Sequence, residues 1–160
     1  MEYGRYFSPL GWITICLSDA HLVGLWPDGH KYAPKLDDSF KRIENGNSAA
    51  EHVYHWLDEY FAGKHPQASK LPFMLKGTAF QITIWNMLLE IPYGQTVTYG
   101  RLAEQCGRKM SAQAVGGAVG RNPISIIIPC HRVIGTKGRL VGYAGGLNKK
   151  EWLLHHEGIL

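Results

Sequence analysis

The stretch "TVTYGRLAEQCGRKMSAQAVGGAVG", residues 96–120, decides how this chain is read. Thr98 to Cys106 carry a short helical pattern, with Leu102, Ala103 and Cys106 on the inward face and Gly107 as its stop. A turn, "GRKM", follows, and Ser111 then caps a second short helix over residues 112–120. Two short helices across a glycine-containing turn fit a helix-turn-helix. The second helix is unusual, because Gly116 and Gly117 sit at its centre, and each glycine costs about 1 kcal/mol relative to alanine. Such a cost is accepted where something must approach the backbone closely: another helix, or a nucleic-acid groove. Ala112, Gln113, Ala114, Gly116 and Gly117 present no long basic side chain, whereas Arg108, Lys109 and Arg121 flank the helix. That pattern suits a helix in a narrow groove with phosphate contacts at either end.

Charge supports the same region. Residues 1–97 hold eight Lys/Arg against ten Asp/Glu, while residues 98–150 hold nine Lys/Arg against Glu104 alone. This asymmetry is the footprint of a polyanion-binding face, although a merely solvated basic surface would look the same. The 160 residues have 45% hydrophobic and 19% charged content and no apolar run of membrane-spanning length. With no signal-peptide pattern at the start, a cytoplasmic protein without membrane association is expected. Cys16, Cys106 and Cys130 are odd in number and widely spaced, with no CxxC pair, which argues against a disulfide framework and a cysteine-type zinc site. No metal and no cofactor are expected.

Just downstream lies "IIIPCHRVIG", residues 126–135. The isoleucine run reads as strand-like core, and Pro129 stops it so that Cys130 sits at the end of a rigid element. Cys16 and Cys106 fall in core patterns. Cys130 is followed by a base, His131, and a cation, Arg132, both of which favour the reactive thiolate. Such a base works best when a third group orients it. The acids that remain in this part of the chain are Glu104, Glu151 and Glu157. Glu151 is expected to be taken up in capping the last helix, which Asn148 and Glu151 open. Glu157 stands near that helix's C-terminus, where the dipole disfavours a carboxylate. A bond to His131 would give it a reason to be there, and an idle terminal glutamate is the other reading.

Working further outward, residues 1–27 are rich in aromatic and β-branched residues, with turn signals at Ser8-Pro9 and Ser18-Asp19, and predict a small antiparallel sheet. Ser48 and Glu51 form a capping box for a helix whose stripe is Val53, Trp56, Leu57, Tyr60 and Phe61, ended by Gly63. Residues 64–77 hold two prolines and no period, and are the expected linker between two lobes, 1–70 and 71–160. Thr78 and Gln81 cap the next helix, which Pro92 and Gly94 stop. "RVIGTKGRLVGY", residues 132–143, looks hairpin-like.

"PCHRVIG" together with "GYAGG", "KEWLLHHEG", "GTAFQITIWNMLLEIPYGQTVTYGRLAEQCG" and "AVGGAVGRNPISIIIPCHRVIG" resembles the O6-alkylguanine-DNA alkyltransferases, or methylated-DNA–protein-cysteine methyltransferases, in the bacterial form without a sensor domain. The likeness runs over residues 77–158 almost without gaps; residues 1–70 match only loosely. It implies an α/β (α+β) fold with a ribonuclease H-like N-terminal lobe and a winged-helix-like C-terminal lobe. It implies a repair protein that flips an alkylated guanine out of duplex DNA and moves the alkyl group from O6 to Cys130 in one irreversible step. O4-alkylthymine would be a second substrate. By the same resemblance His131 draws off the thiol proton through a water, Glu157 holds His131, and Tyr99 gives a proton to the guanine ring. Asn122 organises the active-site turn. Tyr143, Ala144, Gly145 and Ile128 would line the alkyl pocket. Ala112, Gln113, Ala114, Gly116, Gly117, Tyr99, Arg108, Arg121 and Arg132 would meet the DNA.

The chain departs from the family where "QAV" replaces the usual "RAV": Gln113 stands where an arginine fills the gap left by the flipped base. Ala144 replaces a serine of some relatives. The expected partner is double-stranded DNA carrying O6-alkylguanine, bound by a monomer, with side-by-side binding of several copies left open. The rival readings are a lesion-binding protein that does no chemistry and a Cys-His-acid hydrolase that turns over many times.

Overall fold

A computed structural model describes residues 1–107 and 110–160. Arg108 therefore lies outside the described residues. Three antiparallel strands, β1 (Glu2–Ser8), β2 (Gly11–Ser18) and β3 (His21–Pro27), form the small antiparallel sheet expected of residues 1–27. Both hairpins are tight. The first closes with the Ser8 hydroxyl accepting from the Leu10 N–H at 3.0 Å and donating to the Gly11 carbonyl at 2.7 Å. The second turns through Asp19 and Ala20, both at positive φ. A short strand, β4 (Lys41–Arg42), joins β1 in parallel, giving the order β3-β2-β1-β4. Nothing in the polar stretch 27–42 announces that strand; the β1 edge supplies the partner.

Helix α1 (Ser48–Phe61) buries Val53, Trp56, Leu57 and Tyr60, and the core it joins includes Ile13, Ile15, Leu17 and Leu25 of the sheet. Its cap is Asn47 rather than Ser48: the Asn47 side chain accepts from the Ala50 N–H at 3.0 Å. Asparagine caps at least as well as serine, so the helix begins one position earlier than a Ser48–Glu51 box requires. The expected linker is not free chain. Leu22 of β3 donates to the Pro72 carbonyl at 2.8 Å and accepts from the Met74 N–H at 2.9 Å. Three residues on, the same edge binds the other lobe: the Leu25 N–H donates to Pro123 at 2.9 Å, and Ser125 donates to the Leu25 carbonyl at 3.0 Å. Edge N–H and C=O groups need partners, and here they take one from each side of the chain.

Helix α2 (Ala79–Leu89) has the complete Thr78/Gln81 capping box. Strand β5 (Val97–Thr98) leads into α3 (Tyr99–Gln105), capped by Thr98, and α4 (Ala112–Gly120) is capped by Ser111. Helices α3 and α4 pack on one another as the helix-turn-helix pattern requires. The hairpin expected at 132–143 is absent. Strand β6 (Val133–Ile134) pairs in parallel with β5 instead, and a single turn of 3₁₀ helix follows at Thr136–Gly138. The isoleucine run is not a strand either. It is a buried sequence of turns, with Ile126 at φ 71°, a conformation that costs a β-branched residue strain. The last helix, α5 (Leu147–His156), starts after Gly146 at φ 103° with no side-chain cap. Glu151, expected in that cap, is exposed and faces His155 at 3.8 Å. No described helix is long and apolar enough to cross a membrane.

Candidate active site and DNA-facing groove

Cys130 opens a 3₁₀ turn, Cys130–Arg132, directly after Pro129. Asn122 builds the platform beneath it. Its amide donates to the Ile128 carbonyl at 2.7 Å, and its oxygen accepts from the Ile124 N–H at 3.0 Å. The Cys130 N–H donates to the same Ile128 carbonyl at 2.8 Å. The turn that holds the thiol is thus tied to a buried side chain eight positions earlier. Ile128 itself is fully buried: its backbone serves the site, and its side chain is core rather than the pocket wall expected. Burial pushes the Cys130 thiol pKa up. The Asn122 amide, the Lys150 charge and the Tyr143 hydroxyl pull it back toward the thiolate.

His131 has no exposed surface. Its Nε2 meets Glu157 Oε2 at 2.5 Å, while Nδ1 has no hydrogen-bond partner among the described residues. Burial lowers the imidazole pKa against the opposing pull of Glu157. The proton therefore sits on Nε2, bonded to the carboxylate, and Nδ1 is left as a neutral, basic lone pair. The Glu157 carboxylate, at the C-terminus of α5, also accepts from Tyr60 Oη at 2.7 Å, from Arg132 Nε at 2.8 Å and Nη2 at 3.2 Å, and from the Gly94 N–H at 3.1 Å. Burial alone would raise its pKa, but His131 and Arg132 together hold it well below the usual carboxylate range.

Arg132 was expected to meet the DNA, and its position corrects that. The side chain is only 11% exposed, its Nη1 donates to the Ile91 carbonyl at 2.7 Å, and the rest of its fork holds Glu157. An isolated buried guanidinium is costly, so a cation next to the site's one buried carboxylate turns inward.

Two participants are not singled out by the sequence motifs. Tyr60 reads as one more member of an amphipathic stripe until the fold brings it to Glu157. Lys150 reads as surface charge, yet it is fully buried. Its ammonium donates to the Val133 carbonyl at 2.6 Å and to Gly142 at 3.3 Å, and lies 5.8 Å from the Tyr99 ring. Burial lowers its pKa to about 8, with the charge on Cys130 acting the other way. The one clue was its spacing in "NKKEWLLHHEG", where Lys150 shares a helix face with the buried Leu153 and Leu154.

Cys130 lines a cavity of about 320 Å³ with Tyr99, Gly116, Val119, Tyr143 and Ala144. Gly145 lies outside it and works by absence: a Cβ there would stand 2.8 Å from the Tyr143 ring. Tyr99 donates to the Val141 carbonyl at 3.1 Å, and its pKa is pushed to about 12, by burial first and then by the Cys130 charge. Beside the cavity runs a wider groove of about 750 Å³ between Ala112, Gln113 and Gly116 of α4 and the Gly135–Gly142 loop, where Arg139 also lies. Gln113, Ala112 and Gly117 are exposed. A Cβ on Gly117 would meet nothing within 4 Å, and one on Gly116 would make only ordinary contact with Tyr99. Among the described residues, no neighbour comes close enough to either position to require a glycine there. Arg121 is exposed, with its guanidinium 4.6 Å from the Tyr32 ring.

The fold and site define a two-lobed α/β protein with a helix-turn-helix and a buried, turn-mounted cysteine backed by a histidine–glutamate pair. Residues 1–75 match the ribonuclease-like domain, and residues 79–159 the DNA binding domain, of 6-O-methylguanine DNA methyltransferase. The chain belongs to this family. A methylated-DNA–protein-cysteine methyltransferase of Methanosarcina acetivorans is 41% identical over 99% of both chains. The protein of that name from Shigella flexneri is 57% identical over 104 residues, a match that spans 65% of this chain and 61% of the relative's length. The crystal structure of Mycobacterium tuberculosis OGT in complex with DNA superposes with a TM-score of 0.88 at 40% identity, covering 99% of this chain and 93% of that one.

Proposed function

We propose that this protein repairs DNA by moving an alkyl group from O6 of a flipped-out guanine to Sγ of Cys130, and is consumed in doing so. The observation that carries the reading is the buried thiol lining a base-sized cavity, next in sequence to a histidine whose Nδ1 has no partner among the described residues. His131 Nδ1 takes the thiol proton through a bridging water, and Glu157 stabilises the imidazolium that forms. The thiolate attacks the alkyl carbon, the S–C bond forms as the C–O6 bond breaks, and the electron pair passes to the guanine. Tyr99, still protonated at neutral pH, returns a proton to the ring. The thioether that results is a poor leaving group, and neither Cys16 nor Cys106 lines the cavity, so no second thiol resolves it.

The partner is duplex DNA. The small-residue face of α4 enters the minor groove, Gln113 occupies the hole left by the flipped base, and Arg121 meets phosphate. O4-alkylthymine presents the same alkyl–oxygen bond and is a second substrate. A lesion binder without chemistry has no need for the polarised thiol, and a hydrolase has no need for the groove.

The test is intact mass after incubation with duplex DNA carrying O6-methylguanine. A gain of one methyl per chain, absent in Cys130→Ala, is expected. Binding without a mass gain favours the lesion binder, and release of alkyl groups over many turnovers favours the hydrolase.

A further inference from the structure

The cavity around Cys130 is not built from the C-terminal lobe alone. His30, Lys31 and Tyr32, which leave the end of β3, line it as well. This turn is fixed to the rim at several points. The Lys31 N–H donates to the carbonyl of the pocket residue Ala144 at 2.8 Å. Lys149, at the start of α5, donates to the Asp28 carbonyl. Two cations stand over the Tyr32 ring, Arg121 at 4.6 Å and Lys31 at 5.4 Å, held by the negative charge of its face. His30 is only 7% exposed, and its Nδ1 accepts from the Tyr32 N–H at 3.1 Å. Burial, with the Lys149 charge, lowers its pKa to about 4. It is therefore neutral at physiological pH and carries its proton on Nε2.

We propose that the His30–Tyr32 turn of the N-terminal lobe is the specificity-determining wall of the alkyl pocket, setting how large a group can reach Cys130. This rests on the alkyl-transfer reading above. The cavity's size, about 320 Å³, is at the low end of the range of about 300–1,000 Å³ usual for small-molecule sites. A planar base with a methyl group leaves little of it unfilled, so any larger substituent competes with a wall. The walls from α4 and from Tyr143–Ala144 are tied into the helix-turn-helix and α5. The His30–Tyr32 wall is a three-residue turn whose ties to Ala144 and α5 run through the backbone of Lys31 and Asp28, so the His30 and Tyr32 side chains can be shortened without breaking them. Discrimination of one methylene by a filled pocket is worth about 10- to 200-fold, and removing the Tyr32 ring opens more space than that.

The experiment compares wild type, His30→Ala and Tyr32→Ala in single-turnover transfer from duplex DNA carrying either O6-methylguanine or O6-benzylguanine. The expected result is a benzyl-to-methyl rate ratio raised at least about tenfold in Tyr32→Ala, and raised to a smaller degree in His30→Ala, each measured at a temperature where its melt shows it folded. A second readout does not depend on DNA chemistry. In a Cys106→Ser background, the rates at which methyl and benzyl methanethiosulfonate modify Cys130 gauge access to the thiol directly, and the same shift in ratio is expected. If wild type transfers no alkyl group from DNA, the proposed function fails, while the thiol reagents still test the wall. If folded variants leave both ratios within about twofold of wild type, the wall is not where specificity is set.

Discussion

Replacing Glu157 by glutamine is the sharpest test of the buried network, because it keeps the shape and removes the charge. The carboxylate accepts from His131, Tyr60, Gly94 and both arms of Arg132. Without its charge, Arg132 remains as a guanidinium only 11% exposed, with the Ile91 carbonyl as its other partner. Removing one side of a buried ion pair costs about 3–5 kcal/mol. The amide –NH₂ must also face one of the donors that the carboxylate now satisfies, which adds about 1 kcal/mol. For a chain of this length about 1 kcal/mol moves the melting temperature by roughly 2–4 °C, so Glu157→Gln should melt roughly 8–24 °C below wild type at pH 7. A thermal melt followed by circular dichroism measures this. The pH dependence has a definite sign. The folded carboxyl pKa is depressed from the ordinary 4.5, so its contribution is complete above that value and is lost as pH falls through the lower folded value. The wild-type advantage over Glu157→Gln should therefore shrink only in acid. A melting temperature within about 3 °C of wild type at pH 7, or an advantage that does not change with acid, would refute the claim that this carboxylate anchors the site.

Three further outcomes follow from the geometry. Gln113→Arg should tighten DNA binding several-fold, speed transfer, and steepen the salt dependence of affinity by about one charge; unchanged affinity and rate would show that Gln113 does not occupy the gap. Lys150→Met should slow transfer at neutral pH by removing a cation that favours the thiolate. In addition, because burial lowers the lysine from 10.5 to about 8, wild type should gain stability relative to the variant as pH rises between those values, which melts across that range will check. Asn122→Ala strands the Ile124 N–H in the core and leaves the Ile128 carbonyl with the Cys130 N–H alone; it should cost about 1–3 kcal/mol, read from the denaturation midpoint, together with a loss of transfer at temperatures where the chain is still folded.

Much of this architecture is written in local pattern. The N-terminal hairpins, the α2 capping box, the Thr98 and Ser111 caps and the small-residue face of α4 follow from residue type and spacing, because turn chemistry, caps and periodicity act over a few residues. The prominence of Cys130 and His131 was legible for the same reason, since they are adjacent. Where the chain had to choose between two local solutions, tertiary partners decided. Asn47 displaced Ser48 as a cap, and β6 paired with β5 across more than thirty residues. The isoleucine run, strand-like by composition, became buried turns because its backbone bonds go to Ser125, Ile124 and Asn122 close by in the chain.

Sequence alone, then, determined the presence of a small-residue helix and of a cysteine set beside a histidine and an arginine, since both are statements about neighbours in the chain. Tertiary structure decided which charges serve the site. Arg132 turned inward to Glu157 because two opposite buried charges are tolerable only together. Lys150 was buried against three carbonyls, Tyr60 was brought to the same carboxylate across 97 positions, and the His30–Tyr32 turn became a wall of a pocket whose nucleophile lies about a hundred residues away. No short-range pattern encodes those meetings, because burial and long-range pairing are set only when the sheet edge and the last helix close on the turn that carries Cys130.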